Sequence, residues 1–220
     1  MVHIFDVDNT VIKKTSTGYF LGEAIKLGII QIRQIKRLPF ELIKYKLGRP
    51  DMDFIEQAVK HFAGIEKEKL EYTAERCFEH RMKPAIFTGA ADLIRNLISF
   101  GERVTFATSS FHTIINPLQR YFGIEESIAS SLEFFNGKTT GRLIGKSFFG
   151  AKKKDAVKTW LEQNKLKSSD TCCYSDSYTD LPLLEFCGCQ KVVNPDRFLE
   201  KEAKKHGWEI LRFKATLECK

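Results

Sequence analysis

Asp6 and Asp8 follow the apolar run Val2-His3-Ile4-Phe5, and Thr10 stands two residues further on. A strand that ends in Asp-x-Asp-x-Thr brings two carboxylates to the mouth of a parallel sheet, where open α/β folds build their active sites. Burying like charges that close together is costly without a cation between them. The spacing therefore asks for a metal ion and leaves one carboxylate free to do chemistry.

Three later segments add to that chemistry. The strand pattern at 103–108 ends in Thr108-Ser109-Ser110 and turns into a helix. A hydroxyl with successive backbone N–H groups at a helix N-terminus suits a phosphate oxygen. A second helix opens Gly150-Ala151-Lys152-Lys153-Lys154. Lysines there oppose the helix dipole, and one directed into the site would neutralise both a nucleophile and a phosphate. The spacing alone does not choose among the three. Finally, Thr171-Cys172-Cys173-Tyr174 runs into Ser175-Asp176, with Asp180 four residues on. Oxygen-rich clusters of this kind suit a hard cation such as Mg²⁺.

The elements that must position these groups alternate. Strands are expected at 2–8, 103–108, 127–130, 171–175, 190–193 and 208–212, with a hairpin at Asn136-Gly137. Helices are expected at 89–100, 112–122, 151–164, 178–186 and 196–206. That order implies a parallel sheet with right-handed crossovers. A long helical stretch from 16 to 81, broken at Gly28, Pro39, Gly48-Arg49-Pro50 and Gly64, reads as an insertion after the first strand. The expected architecture is an α/β, three-layer Rossmann-like core at 1–13 and 84–220, with an all-helical cap at 14–83.

A chain of 220 residues can hold one good core and a smaller satellite. With 43% hydrophobic and 29% charged residues it is globular in composition. No apolar run is long enough to span a bilayer, and no secretory leader precedes the first strand. The six cysteines have no zinc-like spacing and read as reduced thiols of a cytoplasmic protein. The net charge of +7 points to an anionic partner. Much of it lies between Lys26 and Arg49, interleaved with apolar residues. That segment fits a cap with a solvated basic outer face, or a surface, peripheral to a membrane, that meets anionic lipid headgroups. No motif beyond charge supports nucleic-acid binding.

Taken together, the four segments resemble the haloacid dehalogenase superfamily of aspartate-nucleophile phosphatases, in its phosphoserine phosphatase-like branch (subfamily IB). They stand here as Ile-Phe-Asp6-Val-Asp8-Asn-Thr10-Val, Phe-Ala-Thr108-Ser-Ser, Gly150-Ala-Lys-Lys153 and Tyr-Ser-Asp176-Ser-Tyr-Thr-Asp180. The tail Val193-Asn194-Pro195-Asp196 and Gly207-Trp208 resembles an uncharacterised group within that branch. The resemblance implies that Asp6 is a nucleophile forming an aspartyl-phosphate and Asp8 the general acid and base. It implies Mg²⁺ held by the Asp6 carboxylate, the Asp8 carbonyl and Asp176, with Asp180 orienting metal-bound water and Lys153. Thr10, Thr108, Ser109 and Lys153 would meet the substrate phosphate, Lys153 being chosen by the branch's register Gly150-x-x-Lys153-x-x-x-Val157.

The expected reaction is hydrolysis of a small or lipid-linked phosphomonoester. Phosphoserine is disfavoured, because Lys13-Lys14-Thr15-Ser16-Thr17 lacks the acid that would hold its ammonium and Thr179 replaces an asparagine. The alternative is a catalytically idle protein of the same fold that docks on anionic membrane through the basic cap.

Overall fold

The computed structural model describes residues 1–31, 59–145, 148 and 150–219. Among them, seven strands form one sheet: β1 (Val2–Phe5), β2 (Arg103–Phe111), β3 (Ser127–Phe135), β4 (Lys138–Ile144), β5 (Thr171–Ser175), β6 (Cys189–Val193) and β7 (Glu209–Leu211). Their order is β4-β3-β2-β1-β5-β6-β7. Neighbours run parallel except β3 and β4, which form a hairpin. Its turn is Asn136-Gly137 with φ of 48° and 73°, the double positive φ that a tight hairpin requires.

All four residues of β1 are buried, as a central strand covered on both faces must be. Successive side chains point to opposite layers. Val2 and Ile4 pack with Val157 and Leu161 of α5 (Ala151–Gln163), Leu183 and Leu184 of α6 (Leu181–Phe186), and Leu199 and Ala203 of α7 (Arg197–His206). Phe5 faces the other way, into a cluster with Ile94 of α3 (Thr88–Ser99) and Ile114, Ile115 and Leu118 of α4 (His112–Phe122). The result is the expected three-layer α/β architecture.

Several boundaries differ from the sequence pattern. β1 stops at Phe5 and does not reach residue 8. β2 continues three residues past Thr108, so Thr108-Ser109-Ser110 lies in the strand and the helix begins only at His112. The β2–β3 register shifts between Ala107 and Phe111, and that irregularity lets the strand run on. β3 extends to Phe135 because pairing with β4 gives its outer half a partner. The helix expected at 178–186 starts as a 3₁₀ turn, Tyr178–Asp180, before α6.

Of the expected insertion, the described parts are α1 (Ser16–Lys26), α2 (Lys67–Cys77) and a π-helical turn at Phe78–Met82. Breaks at Gly28 and Gly64 are present, both with positive φ. The basic stretch lies largely outside the described residues, as do Pro39 and the Gly48–Pro50 turn. Phe20, Ala24, Leu70 and Ala74 join the cluster that holds Phe106 and Ile114, so α1 and α2 share one core with the sheet. The hairpin reaches the same region: Gly64 N–H donates to Thr139 C=O at 2.7 Å and Thr139 N–H to Ile65 C=O at 2.9 Å. Cys77, Cys172, Cys173, Cys187 and Cys189 are unbridged. Among the described residues, no helix is long and apolar enough to cross a membrane.

Gly141 marks where β4 passes under residues 60–63. Its φ is +76°, and an added Cβ would sit 2.8 Å from Ala63 Cβ and 3.2 Å from Lys60 Cα. Gly145 has the same sign of φ (+75°) but open space around it. Gly141→Ala should therefore lose about 2 kcal/mol or more from combined strain and overpacking, roughly 4–8 °C in Tm. Gly145→Ala should lose clearly less. Equal losses by thermal unfolding would show that close packing at Gly141 carries no stability.

Candidate active site

Asp6 follows directly on β1. Its N–H donates to Tyr174 C=O at 2.9 Å, and Phe5 stacks on the Tyr174 ring with centroids 3.9 Å apart. β5 therefore sets the backbone from which the Asp6 carboxylate projects. Lys153, in the first turn of α5, is 4% exposed and donates to Asp6 Oδ1 at 2.8 Å and Asp180 Oδ2 at 2.7 Å. Neighbouring Lys152 and Lys154 are only partly buried, and Lys154 pairs loosely with Asp155 at 3.8 Å. The choice that the sequence leaves open is made by burial.

Burial alone would lower the pKa of Lys153, but the Asp180 and Asp6 carboxylates override it and hold the ammonium protonated. Ser175 Oγ also donates to Asp180 Oδ2, at 2.7 Å. Asp180 thus receives two strong donors on one oxygen and is firmly oriented. Burial, reinforced by Asp180 and Asp8 against the pull of Lys153, pushes Asp6 up to about 7. Asp176, at the C-terminal end of β5, is raised well above the carboxylate range by burial and by Asp6 and Asp180, with no hydrogen bond contributing.

Asp8 is separated from this group. Its Oδ1 accepts the Ser16 N–H at 2.8 Å, at the start of α1. Burial raises its pKa and the Ser16 bond opposes the rise. Thr10 is fully buried, and its hydroxyl has no hydrogen-bond partner. Such an atom costs about 1–3 kcal/mol unless something else pairs with it. Thr108 is buried and its Oγ1 accepts Ser110 N–H at 3.2 Å, which leaves the hydroxyl proton for an incoming acceptor. Ser109 differs: its hydroxyl donates to Phe148 C=O at 2.8 Å and is already committed.

Three carboxylates (Asp6, Asp176 and Asp180) thus surround one ammonium, with Asp8 close enough to raise Asp6 and Asp176 further. Among the described residues no three His, Cys, Asp or Glu side chains converge to chelate an ion by themselves. The expected ligand set needs only two carboxylates, completed by the Asp8 carbonyl. Excess negative charge, with an Asp176 carboxylate that no hydrogen bond holds among the described residues, fits a divalent cation bound by oxygens. Two contributors were not singled out in the sequence. Ser175 is the last residue of a buried strand and carries no motif signal. The Ser16 N–H is a backbone group, though Thr15 as a helix cap marks where α1 starts.

Residues 4–185 match the haloacid dehalogenase-like hydrolase family. The chain belongs to that family. It is a phosphatase-type member, similar to a probable phosphatase of Mycobacterium tuberculosis (strain H37Rv), 30% identical over 213 residues that cover 95% of this chain and 74% of the relative. It is also similar to a histidinol-phosphatase of Neisseria meningitidis serogroup C, 32% identical over 217 residues that cover 96% of this chain and 98% of the relative. The fold is that of a Bordetella pertussis Tohama I protein of unknown function (TM-score 0.86, 24% identity, 96% and 97% of the two chains). It is shared with a phosphoserine phosphatase solved as a phospho-aspartyl intermediate analogue (TM-score 0.69, 18% identity, 98% and 94% of the two chains).

The pKa shift at Asp6 has a definite sign. A carboxylate raised from 3.8 to about 7 on folding makes the folded state bind more protons between those values, so its contribution to stability falls as pH rises through that window. Lys153 is the group that limits this effect. Lys153→Met in metal-free protein should cost about 3–5 kcal/mol near pH 8 and distinctly less near pH 5, where Asp6 is protonated. Denaturant midpoints at the two pH values test this, and a loss independent of pH would contradict it.

Proposed function

We propose that the chain is a Mg²⁺-dependent phosphomonoesterase that works through an aspartyl-phosphate on Asp6. The observation that carries this reading is the buried Lys153 ammonium, bonded at once to Asp6 and Asp180, with Asp8 held apart on the start of α1. An idle fold has no need to bury that arrangement, because it gains nothing from a lysine and carboxylates removed from water. The alternative of membrane docking rests on a segment outside the described residues and has no structural support.

Asp6 attacks phosphorus with the carboxylate oxygen that Lys153 does not hold. Lys153 limits the charge on that carboxylate and, with the Thr108 hydroxyl, takes up phosphoryl oxygens. Ser109 contributes its backbone rather than its hydroxyl, and Thr10 gains a partner for its buried oxygen. Asp8, whose pKa burial raises, gives a proton to the departing alkoxide and then takes one from the water that hydrolyses the acyl-phosphate. Asp6, Asp176 and the Asp8 carbonyl would hold Mg²⁺, which supplies charge neutralisation of the phosphoryl group when bound. Asp180, tied to Ser175 and Lys153, fixes the lysine.

The substrate on this reading is a small, soluble phosphomonoester. The Neisseria relative, matched over nearly the full length of both chains, favours histidinol phosphate as the first compound to try. Phosphoserine ranks lower, since residues 13–17, the turn into α1 and its first two residues, contain no acid. A lipid-linked phosphate has only the basic composition of the cap in its favour. A cytoplasmic setting agrees with the unbridged cysteines.

Phosphate release should depend on Mg²⁺ and show a clear preference within a panel of histidinol, amino-acid, sugar, nucleotide and lipid phosphates. Asp6→Asn should fold and release no more than trace phosphate; substantial turnover would remove Asp6 as nucleophile. Asp8→Ala should lose about 10²–10⁴-fold on an alkyl phosphate and far less on p-nitrophenyl phosphate, whose leaving group needs no acid. Equal losses on the two would refute the role of Asp8 as acid.

A further inference from the structure

β6 ends at Val193, and the chain turns through Asn194 with a φ of 44°. Asn194 N–H donates to Leu211 C=O at 3.0 Å, and its side-chain oxygen accepts Phe213 N–H at 2.9 Å. This pins the turn to the end of β7. Two residues later Asp196 caps α7, its Oδ1 accepting Phe198 N–H and Leu199 N–H, each at 2.9 Å. One oxygen is enough for a cap.

The rest of Asp196 is used elsewhere. Its Oδ2 accepts Tyr178 N–H at 2.7 Å, and its own N–H donates to Asp176 C=O at 2.8 Å. Asp196 therefore grips the loop at two points just past the Asp176 side chain, the Asp176 carbonyl and the Tyr178 N–H. Among the described residues, no hydrogen bond orients the Asp176 carboxylate. Its direction is left to its backbone, and that backbone is held by Asp196.

We propose that Asp196 is a positioning residue for the metal site: anchored at the N-terminus of α7, it fixes the backbone from which Asp176 presents a carboxylate to the divalent cation. The inference rests on Asp176 being a metal ligand, as proposed above. A partner one step removed from a metal, if it orients the ligand, changes affinity by about 10–100-fold when lost. A helix cap alone has no such effect.

The test separates the cap from the grip in the full-length protein. Asp196→Ser keeps one oxygen for the cap and gives up the second acceptor. Tyr178→Pro removes the donated N–H together with the ring; Ser177 has an extended backbone (φ −110°, ψ 136°) and Tyr178 opens a 3₁₀ turn, both compatible with proline. Tyr178→Ala controls for the lost ring. Mn²⁺ binding is read by electron paramagnetic resonance without substrate, next to Tm without metal.

Asp196→Ser and Tyr178→Pro should each weaken Mn²⁺ binding about 10-fold or more, with Tm near that of wild type, while Tyr178→Ala binds normally. Binding within about twofold of wild type in Tyr178→Pro would overturn the proposal, even if Asp196→Ser failed to fold. Asp176→Asn is the reference: normal Mn²⁺ affinity there would remove Asp176 as a ligand, and the role of Asp196 with it. A strong loss in Asp176→Asn with none in Tyr178→Pro would remove the role of Asp196 alone.

Discussion

A lysine ammonium withdrawn from water between two carboxylates is the constraint around which the rest of this molecule is arranged. Lys153 could not stay charged at its depth without Asp6 and Asp180, and neither carboxylate could be buried so fully without Lys153. The three come from the end of β1, the first turn of α5 and the 3₁₀ turn ahead of α6. Each must arrive within hydrogen-bond distance of the same nitrogen. Ser175 adds a fourth constraint by donating to Asp180 from the end of β5.

The lysine does not balance the charge it gathers. Among the described residues the Asp176 carboxylate has no hydrogen bond, and burial, helped by acidic neighbours, pushes Asp6 up despite its ion pair. Asp8 escapes the crowd by taking a backbone N–H at the start of α1, where the helix dipole also favours a carboxylate. That contact separates the two aspartates of one motif into different environments. It also ties Asp8 to the first helix of the expected cap, so on the proposed reading the position of α1 and the proton transfer are linked.

The sheet order explains why the groups meet. β1 lies between β2 and β5, and the three run parallel, so their C-terminal ends open on one edge. Asp6 and Asp176 directly follow those strand ends, while Thr108 lies within β2, two residues past the Phe106 that pairs with Phe5. The chain crosses from one side of β1 to the other between β4 and β5, which places the site at the reversal of strand order where α/β sheets leave a crevice. The hairpin β3–β4 extends the sheet toward residues 63–67 and binds them by backbone hydrogen bonds. α1 and α2 in turn bury Phe20 and Leu70 against the same cluster as Phe106.

By itself the sequence determined the strand-helix alternation, the order of the four chemical segments and the family to which they belong. Those features are local: apolar runs of period two, helical spacing, and Asp, Thr and Lys at fixed offsets from strand ends. Tertiary structure decided what depends on partners far away in the chain. Lys153 and not Lys152 or Lys154 enters the site because only it reaches Asp6, 147 residues distant in sequence. Ser109 loses its hydroxyl to Phe148, β2 runs on through Thr108-Ser109-Ser110, and Asp196 reaches back to the Asp176 loop. A hydrogen bond is a statement about two positions in space, and residue spacing along a chain records only one of them at a time.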